Sequence, residues 1–168
     1  MIRQLEPSSF PIAAEVIRTS FATVAEELNI TEQNCPKYVG FVTTTERLQT
    51  QHEWGWWLYG FYKDEQLVGY VSVSKAAQDG DTLEVDGNYE IHNLAVLPEC
   101  RHMGYGRQLL YHCVSRIREF GGNKIIISIV EENTVLKNWY TDYGFRHTGT
   151  KKYEHLPFTS GYLEMEVR

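Results

Sequence analysis

The residues best suited to chemistry form one short block, Arg101-His102-Met103-Gly104-Tyr105-Gly106-Arg107. It places an arginine on each side of a turn that holds two glycines, and the turn leads directly into a helical run. The first turn of a helix has backbone N–H groups without intrahelical partners and carries the positive end of the macrodipole, so this arrangement suits a phosphate. Gly104 and Gly106 let the backbone approach an anion closely, and either can adopt positive φ. Two other phosphate motifs do not fit the same residues. A P-loop needs a Gly-Lys-Ser/Thr ending, and a dinucleotide fingerprint needs a third glycine where Leu109 stands.

The flanking residues supply the elements that would hold this turn. Upstream, residues 89–96 read as a strand; downstream, Leu109, Leu110, Cys113, Val114 and Ile117 recur at helical spacing until Gly121-Gly122 ends the run. Residues 124–130 are nearly continuously apolar, which suits a strand buried on both faces and parallel to 89–96 through a right-handed crossover. Asn133 then starts a short helix through about Asp142, and strands are expected over about 145–153 and 162–167.

Towards the N-terminus the pattern predicts a strand over 2–6 and a long helix from Pro7-Ser8-Ser9 to about Asn29. A loop over 31–40 and a short helix ending before Gly55 follow. Residues 56–63 and 67–74 read as a hairpin, and the polar stretch 75–88 as a mobile connection. The outcome is an α/β domain with a mixed central sheet.

A chain of 168 residues is expected to form a single domain, 1–168. With 16 Lys+Arg against 22 Asp+Glu, the formal net charge of −6 argues against a phosphate-tracking nucleic-acid surface. Three cysteines without Cys-x-x-Cys spacing and six histidines without ligand spacing indicate neither a disulfide framework nor a metal site. His92 reads as a packed or hydrogen-bonded strand residue. There is no basic-then-apolar leader and no run near the ~20 apolar residues of a membrane helix, so a cytoplasmic setting is expected.

Arg101-x-x-Gly104-x-Gly106, preceded by Leu94-Ala95-Val96-x-Pro98, resembles the coenzyme A signature of the GCN5-related N-acetyltransferases, the GNAT superfamily. A second block one strand downstream, Asn133-x6-Tyr140-x3-Gly144-Phe145, is similar to that superfamily's other signature. The resemblance covers about residues 65–150. It implies a sheet of about six to seven strands flanked by about four helices, splayed between the strand ending near Val96 and that of 124–130. Acetyl-CoA would occupy the gap, and coenzyme A would leave as product.

The resemblance also implies roles. Leu94, Ala95 and Val96 would offer backbone groups to the pantetheine arm as if it were an added strand. The amides of Arg101, His102, Met103, Gly104, Tyr105 and Gly106, with Arg107 adjoining, would hold the pyrophosphate. Asn133 would contact the cofactor near the thioester, and Tyr140 would act as general acid toward the leaving sulfur. A backbone N–H of the central strand, with Val96 the first choice, would stabilise the oxyanion. An alkylamine with a pKa of ~10.4 is about one part in a thousand neutral near pH 7.4, so a base is needed. Glu90 is the expected base, on the reasoning that it shares strand parity with His92, Leu94 and Val96. Cys100 is not expected to be a nucleophile, because it sits on the pyrophosphate side.

Acceptor recognition is expected from Phe21, Glu26, Tyr38, Trp54, Trp56, Tyr153 and Glu154, where aromatic and acidic groups together suit a cationic amine. The expected function is direct transfer of an acetyl group to a primary amine, by preference that of a small molecule, by a monomer or homodimer. The alternatives are acetylation of protein lysines or N-termini, and a non-catalytic acyl-CoA sensor.

Overall fold

The computed structural model describes residues 1–77 and 84–167. Among these residues, strands β1 (Ile2–Gln4), β2 (Trp57–Lys63), β3 (Gln66–Ala77), β4 (Glu84–Val96), β5 (Lys124–Val130), β6 (Arg146–Lys152) and β7 (Thr159–Glu166) form one sheet in the order β1-β2-β3-β4-β5-β7-β6. The α-helices are α1 (Phe10–Glu27), α2 (Val39–Val42), α3 (Thr45–Glu53), α4 (Tyr105–Glu119) and α5 (Thr134–Tyr143). Every neighbouring pair is antiparallel except β4 and β5, the pair joined by the α4 crossover.

Alternation along the strands divides the core in two. Val71, Val73, Tyr89, Ile91, Ile125, Ile127 and Leu163 pack beneath Leu109, Leu110, Cys113, Val114 and Ile117 of α4. On the opposite face Leu58 and Tyr70 pack against Phe10, Ala13, Ala14, Val16 and Ile17 of α1 and Leu48 of α3. These α1 positions follow the i, i+3, i+4, i+7 spacing of a helix that buries one stripe, and the sheet supplies the surface it needs.

Two expectations are corrected. The stretch 75–88 is not all connection, because β3 runs to Ala77 and β4 begins at Glu84; its middle, 78–83, lies outside the described residues. The expected loop of 31–40 contains the start of α2. Tyr38 precedes that helix and joins Ala25, Ile30 and Cys35 in a third apolar cluster, against which Phe21, Phe41, Leu156 and Phe158 pack. The loop between β6 and β7 is thereby brought to α1 and α2.

Candidate active site

The parallel pairing of β4 with β5 is confined to residues 88–90 against 124–126. Past Glu90 the two strands diverge, while β3 continues beside β4 to Val96 and β7 beside β5 to Val130. The cause lies in β4. Between the pairs Tyr70↔Ala95 and Ser72↔His92 it carries one extra residue, and Asn93 adopts φ 54°. Such a bulge bends a strand and ends regular pairing on its free side. The result is a cleft whose two walls are strand edges, the surface an extended amide-bearing chain can join by strand addition.

The mouth of the cleft is the signature turn. His102 has φ 63° and Gly104, the N-cap of α4, has φ 85°, so successive amides curve around a common point ahead of the helix. The first helical bond runs from the Gln108 N–H to the Gly104 carbonyl at 3.1 Å, which leaves the Tyr105, Gly106 and Arg107 amides pointing outward. A Cβ on Gly106 would lie 3.8 Å from Val96 and 3.8 Å from Trp139, so this glycine sits where β4, α4 and α5 converge. These features fit a pyrophosphate at the turn and a pantetheine arm in the cleft.

The side chains of the turn do other work. Arg101 points inward, donating to the Val96 carbonyl (3.1 Å), the Thr23 hydroxyl (3.0 Å) and the Ser20 carbonyl (2.8 Å). Its guanidinium therefore ties the turn to α1 rather than holding phosphate, which corrects the expected cradle of two arginines. Losing three charge-assisted bonds and leaving two carbonyls bare costs roughly 3 kcal/mol. Arg101→Ala is expected to lower the melting temperature by roughly 6–12 °C, and Arg101→Lys to recover only part, since a lysine cannot span the three acceptors. Thermal denaturation checks both.

Tyr105 stacks on Phe61 with ring centroids 4.3 Å apart, so it contributes its amide and not its ring to the mouth. His102, Met103 and Arg107 are exposed, with the Arg107 guanidinium 5.5 Å from the Tyr143 ring centre. Asn133 caps α5, its side-chain oxygen accepting from the Leu136 N–H at 3.2 Å, and keeps its amide NH2 group for other contacts. Tyr140 is 4% exposed and its ring meets Trp139 and Phe145 edge-on at 5.0 and 5.6 Å, on the α4 side of the sheet. Burial raises its hydroxyl pKa well above the usual range.

Glu90 and His92 lie on the other face. Glu90 pairs with Ser74 and His92 with Ser72, whereas the bulge shifts the alternation so that Leu94 and Val96 pack toward α4. The expected common parity of Glu90, His92, Leu94 and Val96 is thus broken at Asn93. Sequence alternation could not show it, because an inserted residue looks like any other until the pairing is seen. His92 Nε2 is 2.8 Å from the Ser74 hydroxyl, its Nδ1 is 3.9 Å from a Glu90 carboxylate oxygen, and its ring stacks on Trp56 at 4.4 Å and 12°. Burial pulls the His92 pKa down to about 4 and pushes the Glu90 carboxyl above its usual range. At neutral pH His92 is uncharged, and the pair is not a salt bridge.

The proposed acceptor residues separate. Trp56 touches the Glu90–His92 group through His92, and Trp54, 68% exposed, stands 6.1 Å from Trp56. Tyr153 bonds the Tyr162 hydroxyl at 3.0 Å, and Tyr162 pairs with Ser128 of β5. Glu26 and Glu154 are exposed, and Phe21 is half-buried against Tyr38. Tyr38 itself is a core residue whose hydroxyl donates to the Phe21 carbonyl at 3.4 Å, which removes it from the acceptor set. Ser74, Thr23 and Trp139 have structural links to the site that no sequence motif marks.

Among the described residues no helix is long and apolar enough to cross a membrane. No curated protein matches the sequence. Solved structures of the same fold include the PaiA N-acetyltransferase of Thermoplasma acidophilum in complex with coenzyme A, 17% identical with a TM-score of 0.78 over 99% of this chain and 98% of that one. The ribosomal-protein-S18-alanine N-acetyltransferase of Escherichia coli is 13% identical with a TM-score of 0.75 over 99% and 93%. YncA of Salmonella typhimurium with its cofactor acetyl-CoA is 16% identical with a TM-score of 0.70 over 100% and 94%. The profile of the Acetyltransferase (GNAT) family matches residues 23–145, which include the splayed strands, the signature turn and both signature blocks. The chain belongs to the GNAT family of acetyltransferases.

Proposed function

We propose that this protein transfers an acetyl group from acetyl-CoA to the primary amine of a small molecule, by direct attack in a ternary complex. The bound donor supplies an activated acetyl thioester. The edges of β4 and β5 receive its pantetheine arm, and the amides ahead of α4 receive its pyrophosphate. Glu90 takes the proton that the attacking amine loses. Tyr140, held protonated by burial, gives a proton to the departing sulfur, and a β4 amide, Val96 by choice, stabilises the oxyanion.

The observation that supports a small acceptor is the third apolar cluster. Leu156 and Phe158 pack the β6–β7 loop onto the α1–α2 segment, so these two segments touch and leave no open groove between them. A polypeptide acceptor needs an open groove, and a small amine needs walls and a carboxylate. Incubation with acetyl-labelled CoA and a cell extract, followed by size separation, tests this reading. Label is expected in the small-molecule fraction. Label in protein would move the acceptor to lysines or N-termini, and bound but untransferred acetyl-CoA would favour a sensor.

A further inference from the structure

Resting on the reading of Glu90 as the base, we propose that His92 is its positioning residue, a neutral imidazole that presents Nδ1–H to the Glu90 carboxylate. The assignment follows from hydrogen-bond chemistry. A neutral imidazole has one donor and one acceptor nitrogen, and an ionised carboxylate only accepts. Nδ1 is the ring nitrogen on the carboxylate's side, 3.9 Å away and outside hydrogen-bond distance, and we place the proton there because the other tautomer would set lone pairs against each other once the side chain closes. Nε2 then accepts from the Ser74 hydroxyl at 2.8 Å.

Trp56 completes the device. Stacked at 4.4 Å and 12°, it fixes the imidazole plane and keeps water from one face. Glu90 pairs across the sheet with Ser74 on β3 and Ile126 on β5. Two positions before Ile126, Lys124 is engaged by Glu164 of β7 at 3.5 Å. His92 resists protonation because it is buried, so it orients the carboxylate without competing for the amine's proton. The device requires the Glu90 side chain to swing toward Nδ1, and the hydrogen bond so formed would steady the ionised form that must accept the proton.

The test needs no acceptor. The Glu90 carboxyl is titrated by 13C NMR in wild type, His92→Phe and His92→Asn, with Glu90→Gln identifying its signal. Phenylalanine keeps the stacking and excludes water but has no donor; asparagine keeps a donor near the Nδ1 position. In His92→Phe the Glu90 midpoint is expected to rise by about one unit, and in His92→Asn to return near the wild-type value. 15N NMR of wild type is expected to show Nδ1 protonated and Nε2 bare. An unmoved midpoint in His92→Phe, equal midpoints in both variants, or the opposite tautomer would overturn the proposal. Should His92→Phe not fold, the tautomer and the asparagine variant still decide it. Full turnover by Glu90→Gln would instead remove the base reading, a separate result.

Discussion

Replacing Tyr140 by phenylalanine is expected to lower kcat about a hundredfold while leaving the affinity for acetyl-CoA and the melting temperature close to wild type. The change removes one oxygen from a ring that keeps its packing against Trp139 and Phe145, so the cost falls on chemistry rather than on the core. A phenol is useful as an acid only while protonated. Burial raises its pKa, because the phenolate is the form that desolvation disfavours. An alkaline limb due to Tyr140 therefore lies above the ordinary tyrosine value of ~10, and wild-type kcat should show no fall from this group up to that pH. Steady-state kinetics across pH on both proteins check the prediction. Turnover by Tyr140→Phe equal to wild type would leave Tyr140 as a core aromatic only.

The parts of the fold that can be read from the sequence are those governed by local pattern. The stripe of α4, the presence of β5 and the glycine turn between strand and helix each follow from spacing that one element dictates to itself, although β5 buries Ile125, Ile127 and Ile129 on one face and leaves Ser128 exposed on the other instead of being buried on both. What could not be read depends on pairing. The Asn93 bulge is invisible without β3 beside it, and it decides which face Glu90 occupies relative to Leu94. Arg101 shows the same limit in a charged residue. Its place in the motif suggests phosphate, yet two of its three partners are Ser20 and Thr23, about 80 residues earlier in the chain, and no local rule links them. Tyr38 illustrates the aromatic case, since a ring between a lysine and a valine has equal claim to a pocket or a core until Ala25, Ile30 and Phe21 are seen to surround it.

The second large effect is expected at Glu90. Glu90→Gln keeps the shape of the side chain and removes its capacity to accept a proton, so near pH 7 kcat should fall about 10²- to 10³-fold with the acceptor found by the labelling experiment. The pH profile distinguishes this from a packing defect. In wild type the base must be ionised, and burial places its pKa above the ordinary carboxylate value, so kcat should rise with pH through an acidic limb displaced upward from ~4.5 and then level. Without the base the reaction draws on amine that is already neutral. That fraction grows tenfold per pH unit below an amine pKa of ~10.4, so the deficit of Glu90→Gln should shrink by about tenfold per unit and nearly vanish towards pH 10. A constant ratio of the two rates across pH would mean that Glu90 shapes the site without carrying the proton. The same comparison bears on stability with the opposite sign. A carboxyl whose folded-state pKa is raised binds its proton more tightly when folded, so wild type loses stability relative to Glu90→Gln as pH climbs through that raised pKa. Rate gained and stability lost over one pH window, both absent in the glutamine variant, would identify a single titrating group, Glu90, as the origin of the two.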